Sequence, residues 1–175
     1  VDKIRFQFIE KSFDTRVKGG YLLDLGCGKK PYEMLYKQHV ESSVGIDIDS
    51  SLHANESIDQ YYDGKHIPFP DGTFDYVLCT EVLEHVQDPI EFLIEIQRVM
   101  KKGGVLILTT PFLQLLHEVP HDFNRFTPFS LKHLLKKSDF TPELFAGFGG
   151  TFGFLLTLLI RKPLKVWNKL AKFTK

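Results

Sequence analysis

The sequence predicts an α/β fold, a mostly parallel sheet wound on both faces by helices. Three observations predict it. Apolar, strand-like runs alternate with segments of helical periodicity, the pattern of successive βαβ units. The first run closes on a glycine turn, Gly26-Cys27-Gly28, and the second carries an acid at its end, Asp47, 21 residues after Gly26. The length of 175 residues suits a single domain, on a prior of roughly 150 residues each. A chain of that size buries enough surface to fold without disulfides or metals.

The elements follow in order. Residues 2–13 read as an amphipathic helix with Ile4, Phe8 and Ile9 on one side. Residues 21–25 form an apolar run ended by Gly26, a buried strand. A helix is expected over 31–38, because proline at 31 suits a first helical turn. Residues 43–48 and 58–62 read as the second and third strands, and 74–79 as the fourth. The stretch 89–100 places Phe92, Leu93, Ile96, Val99 and Met100 at helical spacing. Lys101 and Lys102 then sit where the helix dipole favours cations, and Gly103 stops the helix. A fifth strand is expected over 105–109, a helix capped by Ser130 up to about Lys137, and a sixth strand over 140–148.

Composition narrows the function. Lys plus Arg equals Asp plus Glu at 22 each, so net charge does not hold this chain to a nucleic acid. An apolar share of 43% and a charged share of 25% describe a globular domain rather than a disordered or low-complexity chain. Two cysteines, Cys27 and Cys79, make no disulfide framework and fit a reducing compartment. No secretory signal is read at the start of the chain, so the expected location is cytoplasmic.

In open parallel sheets the ligand lies at the carboxyl ends of the strands. Glycines at 26 and 28 let the backbone turn sharply and approach a ligand. A carboxylate at the offset of Asp47 can accept both hydroxyl protons of a ribose. A dinucleotide site wants a third glycine, and Pro31 stands there instead. Asp24, two residues before the turn, would repel a pyrophosphate and suits the ammonium group of an amino-acid-bearing cofactor. Lys29 and Lys30 are the counter-argument, since they can meet phosphate.

Four stretches, 22–32, 44–49, 63–86 and 92–112, together resemble a class I S-adenosylmethionine-dependent methyltransferase of the broad small-molecule type. The resemblance implies a Rossmann-like doubly wound sheet, with an altered C-terminal hairpin because no seventh strand is evident. It implies S-adenosylmethionine as cofactor, with Asp24, Gly26, Cys27 and Gly28 around its methionine part. Asp47 would hold the ribose, Ile48 would pack on the adenine, and Asp63 would accept from the adenine amino group beside Gly64. Cys79, Thr80 and Glu81 would lie beside the cofactor.

Residues 81–85, Glu-Val-Leu-Glu-His, put two acids and an imidazole in five positions. Were a helical turn to start at Glu81, Glu84 and His85 would share its face. The spacing resembles the metal site of small-RNA and ubiquinone-pathway O-methyltransferases, with His121 or His117 downstream to complete it. The metal-free reading is preferred, with His85, His121 and Glu81 on the acceptor side and an imidazole as general base. A divalent metal on Glu81, Glu84, His85 and His121 is the alternative. The segment 117–127 follows the fifth strand and reads as the acceptor loop, with His117 and Arg125 to bind substrate.

The cofactor domain is expected over 1–150 and a separate tail over 151–175. Within the tail 151–160 is almost wholly apolar, and 161–175 carries six basic residues and no acid. Such a tail packs on the domain or lies on an anionic membrane, which admits a hydrophobic or lipid-linked acceptor. The reading is therefore methyl transfer to an oxygen or nitrogen of a small molecule. Its rivals are a metal-dependent O-methyltransferase of RNA or catechol-like hydroxyls, a nicotinamide-dependent reductase, and a non-catalytic cofactor-binding module.

Overall fold

The computed structural model describes residues 3–49 and 56–147. Its elements are α1 (Lys3–Arg16), β1 (Tyr21–Leu25), α2 (Glu33–Tyr36), β2 (Ser42–Ile48) and β3 (Gln60–Tyr62). There follow β4 (Phe74–Thr80), a 3-10 turn (Leu83–His85), α3 (Pro89–Val99), β5 (Met100–Thr109) and α4 (Pro128–Lys137). The five strands form one sheet of order β3-β2-β1-β4-β5, with every neighbouring pair parallel. The chain builds outward from β1 to β3, then crosses back to place β4 on the other side of β1. The carboxyl ends of β1, β2 and β4 therefore flank a topological switch point, where open sheets bind ligands.

Side-chain alternation along the strands divides the core in two. Leu22, Leu78 and Ile107 face one side and pack with Ile9 and Phe13 of α1 and Tyr36 of α2. Leu23, Leu25, Val77 and Cys79 face the other and pack with Phe92, Leu93 and Ile96 of α3 and Leu135 of α4. Helices thus cover both faces, as the near-continuous apolar runs of β1 and β4 require.

Several boundaries differ from expectation. The buried seam of α1 runs through Ile9 and Phe13, while Ile4 is exposed. The expected helix over 31–38 contracts to Glu33–Tyr36, because the chain tightens into i→i+3 turns around it. Lys101, Lys102 and Gly103 do not close α3 but open β5. Phe74 pairs with Met100 and Tyr76 with Val105, so four residues of β5 bulge out opposite one of β4. Lys101 Nζ donates to both Asp75 carboxylate oxygens, at 2.9 and 2.8 Å, which holds the bulge. The cap of α4 is Thr127, whose hydroxyl accepts from Ser130 N at 3.1 Å. Residues 140–147 run outside the sheet, and Phe148 lies outside the described residues, as does the whole tail 151–175. Among the described residues no helix is long and apolar enough to cross a membrane.

Candidate functional site

The glycine turn is tied to the end of β2. Gly26 and Gly28 sit at φ +69° and +49°, in the left-handed region that favours glycine. A Cβ at Gly26 would also overlap Val82 Cγ2. Gly26 N and Cys27 N donate to Ile46 O at 2.9 and 3.1 Å, and Gly28 N donates to Asp47 Oδ2 at 2.9 Å. Ile48 N donates to Asp47 Oδ1 at 2.7 Å. A carboxylate offers about four lone-pair sites, and these two bonds leave one on each oxygen. Asp47 is 8% exposed, so the carboxylate is almost wholly enclosed. Gly64, at φ +79°, lies against Ile48: a Cβ there would be 3.1 Å from Ile48 Cγ2. Asp63 beside it accepts Lys65 N and His66 N at 2.8 and 2.7 Å, and those backbone bonds lower its pKa.

Asp24 is 2% exposed, and burial raises its pKa to about 7. The Tyr36 hydroxyl donates to it, yet Oδ2 has no partner. A buried carboxylate oxygen left unpaired is costly, so it stands ready for a cationic donor. Arg5, from α1, forms an ion pair with Glu81 at 2.5 Å and hydrogen-bonds Tyr32. Cys27 is turned inward against Gly45, and burial pushes its thiol up to about 12. Cys79 is fully buried in the core, with its thiol raised by the same cause, and Thr80 is half-buried at the end of β4.

A second cluster is built by the 3-10 turn and the loop after β5. Glu81 takes φ +56° and stands before that turn, so it does not share a helical face with Glu84 and His85. Its N–H donates to Thr109 O and its Oε1 accepts Thr109 Oγ1, each at 3.0 Å. Glu84 is fully buried, and its main-chain carbonyl accepts Phe123 N and Asn124 N at 2.9 and 3.0 Å. These two bonds fold the loop after β5 back onto the turn. Burial raises the Glu84 pKa to about 8, and its Oε1 has no hydrogen-bond partner.

Two imidazoles face that oxygen. His85 Nδ1 lies 2.7 Å from His121 O and His117 Nδ1 lies 3.1 Å from Leu115 O. A carbonyl only accepts, so each Nδ1 donates, which in the neutral ring leaves the lone pair on Nε2. Those Nε2 atoms stand 3.8 and 3.9 Å from Glu84 Oε1, with the two rings edge to face at 4.9 Å. Glu118 Oε2 is 3.8 Å from His85 Nε2.

The structure thus brings Glu84 and His85 together with His117, and leaves Glu81 and the His121 ring aside. The exposed His121 ring packs on Phe123 at 6.2 Å, and only its carbonyl reaches the cluster. Arg125 is taken by Asp122 through two parallel bonds of 2.6 and 2.7 Å. That guanidinium holds the Asp122 carboxyl down at about 2, and Asp122 in turn accepts His117 N at 3.0 Å. Sequence reasoning missed Arg5, Tyr32 and Tyr36. Tyr32 and Tyr36 stand four and eight residues after the glycine turn, which was the available signal, whereas nothing near Arg5 in the chain marks it.

The parallel order and glycine-turn geometry define a Rossmann-like class I methyltransferase fold. Residues 3–144 match the methyltransferase domain family, and the chain belongs to it. An uncharacterized protein of Methanocaldococcus jannaschii is 34% identical over 140 residues, covering 75% of this chain and 60% of that protein. The ubiquinone biosynthesis O-methyltransferase of Pseudomonas aeruginosa is 28% identical over 153 residues, covering 72% of this chain and 65% of that protein. The chain therefore spans less than two thirds of the length of these two relatives. Among solved structures, an S-adenosylmethionine-dependent methyltransferase from Mesorhizobium loti superposes with a TM-score of 0.67 at 14% identity, covering 92% of this chain and 91% of that one. A Bacillus halodurans protein described as a putative methyltransferase superposes at 0.62 and 18% identity, covering 77% and 67%.

Proposed function

We propose that this chain transfers a methyl group from S-adenosylmethionine to an oxygen or nitrogen of a small, apolar acceptor. The observation that carries the reading is the bond between Gly28 N and Asp47 Oδ2, which locks the glycine turn to a carboxylate with one free lone pair per oxygen. That is the arrangement a ribose diol needs. Asp24 supports it by offering an unpaired, buried oxygen to the donor's ammonium group. Arg5, already paired with one carboxylate beside the turn, supports an assignment to the donor's own carboxylate.

The chain's work is then mainly alignment and water exclusion. Methyl transfer forms a bond from the acceptor atom to the methyl carbon and releases the sulfur as a neutral thioether. The acceptor proton goes to the Nε2 lone pair of His85 or His117, not to the outward-facing ring of His121. Titration calorimetry with S-adenosylhomocysteine tests the donor site: binding in the micromolar range is expected, and no measurable heat refutes the reading.

A second reading, metal-dependent O-methylation, is favoured by one observation. Glu84 Oε1 and the two Nε2 lone pairs converge, with the three ligand atoms within 4.8 Å of one another. Both Nδ1 protons are held by carbonyls, the usual outer support of a metal-binding histidine. A divalent ion held by Glu84, His85 and His117 would lower the pKa of an acceptor hydroxyl. The test is thermal: Mn or Zn should raise the melting temperature of the parent chain and leave His117→Ala unmoved. Equal shifts in both would exclude this set.

A further inference from the structure

The acceptor loop inverts the usual arrangement of a surface segment. Of the twelve exposed large apolar residues among those described, six fall between 112 and 129: Phe112, Leu113, Leu116, Val119, Phe123 and Phe129. Leu116, Val119 and Phe129 are 75%, 69% and 84% exposed. The acids of the same loop turn inward, Glu118 towards His85 and Asp122 into the fork of Arg125. Outward apolar and inward charged is the pattern of a surface meant to be covered.

Charge says what covers it. Helix α4 carries no acid, and Lys132, Lys136 and Lys137 are exposed on it, directly after Phe129. The zero net charge conceals a strong polarity. Residues 1–122 hold twelve Lys and Arg against twenty acids, whereas 123–147 hold four against two, and the other six basic residues fall in 161–175, outside the described residues. A cationic, apolar-tipped face on an otherwise acidic protein matches an anionic bilayer, whose surface attracts lysines while its acyl boundary takes the apolar tips.

We infer that the acceptor loop and α4 form a docking face for an anionic membrane surface, so that the loop holding His117 sits at the lipid boundary. Docking itself is independent of the proposed methyl transfer. Delivery of a bilayer-dissolved acceptor to His85 and His117 rests on that reading.

The test is flotation of the full chain with phosphatidylcholine vesicles, with and without 30% phosphatidylglycerol (about one anionic lipid in three). Binding should require the anionic lipid and weaken at 0.5 M salt. Leu116→Ser/Phe129→Ser alters only exposed side chains and should reduce partitioning at least tenfold. Lys132→Glu/Lys136→Glu should do the same, with both melting temperatures unchanged. Parent-like binding by both double variants would overturn the inference, leaving the 151–175 tail as the contact. No binding by the parent would also overturn it, as would a sedimentation shift showing that a second copy buries Leu116 and Phe129. S-adenosylhomocysteine titration of the same samples separates the two ideas, since vesicle binding without cofactor binding sinks methyl transfer alone.

Discussion

Replacing Asp47 with alanine tests the donor site and its construction together. The carboxylate accepts Gly28 N at 2.9 Å and Ile48 N at 2.7 Å. Hydrogen bonds to a charged group contribute about 1.5–3 kcal/mol each. Asp47 is only 8% exposed, so water replaces these bonds in part. The net loss of stability is about 2–4 kcal/mol. At about 2–4 °C per kcal/mol for a domain of this size, the melting temperature falls by about 4–16 °C. The two remaining lone pairs would hold the ribose hydroxyls. Their loss, with the turn unlatched, weakens S-adenosylhomocysteine by more than about tenfold, or about 1.4 kcal/mol. Asp47→Asn keeps one acceptor oxygen and should fall between parent and alanine. Scanning calorimetry and titration calorimetry read the two effects separately. Affinity within twofold of the parent in a folded Asp47→Ala chain would place the ribose elsewhere. An unchanged melting temperature would mean that the carboxylate does not hold the turn.

Three further outcomes are expected. Gly26→Ala puts a methyl group into Val82 Cγ2 at φ +69°, and should cost about 2–5 kcal/mol from left-handed strain and overpacking combined. Adding Val82→Ala should restore the packing share alone in urea unfolding, and full recovery would refute the strain. Asp24, with a pKa raised by burial from 3.8 to about 7, binds a proton in the folded state that the unfolded chain releases. Its contribution is therefore complete below about pH 4 and is lost as pH rises through about 7. Asp24→Asn should lack that decline, so its melting-temperature advantage grows from pH 5 to 8, and a constant gap would refute the assignment. Thr127→Ala should destabilise by about 1 kcal/mol through loss of the α4 cap, whereas Ser130→Ala, which keeps the donating N–H, should change little in the same unfolding assay.

Much of this protein is legible in its residues taken in order. β1, β2, β4 and α3 lie within a residue or two of where the periodicity puts them. Two-sided burial leaves a continuous apolar run in a central strand and a 3.6-residue stripe in a covering helix. Gly26, Gly28 and Asp47 stand at the ends of adjacent strands because a parallel sheet aligns such ends. The residues around Lys101–Gly103 read wrongly for a local reason. Two lysines and a glycine after a helix are a good helix end, but the Asp75 carboxylate, 26 residues upstream, takes Lys101 into the β4–β5 pair instead.

The cluster around Glu84 was less legible. Glu81, Glu84 and His85 are neighbours in sequence, yet one residue at φ +56° sends Glu81 to Arg5 and Thr109. His117 and His121 offer the same chemistry four residues apart, and the loop's bonds to the Glu84 carbonyl decide which ring turns inward. Residue order by itself determined the layers, the glycine turn and the acid that follows it, because those depend on side-chain period and local backbone freedom. Only tertiary structure decided which charges meet, since Arg5 and Glu81, or Glu84 and His117, become neighbours through packing of distant segments and no periodicity encodes that approach.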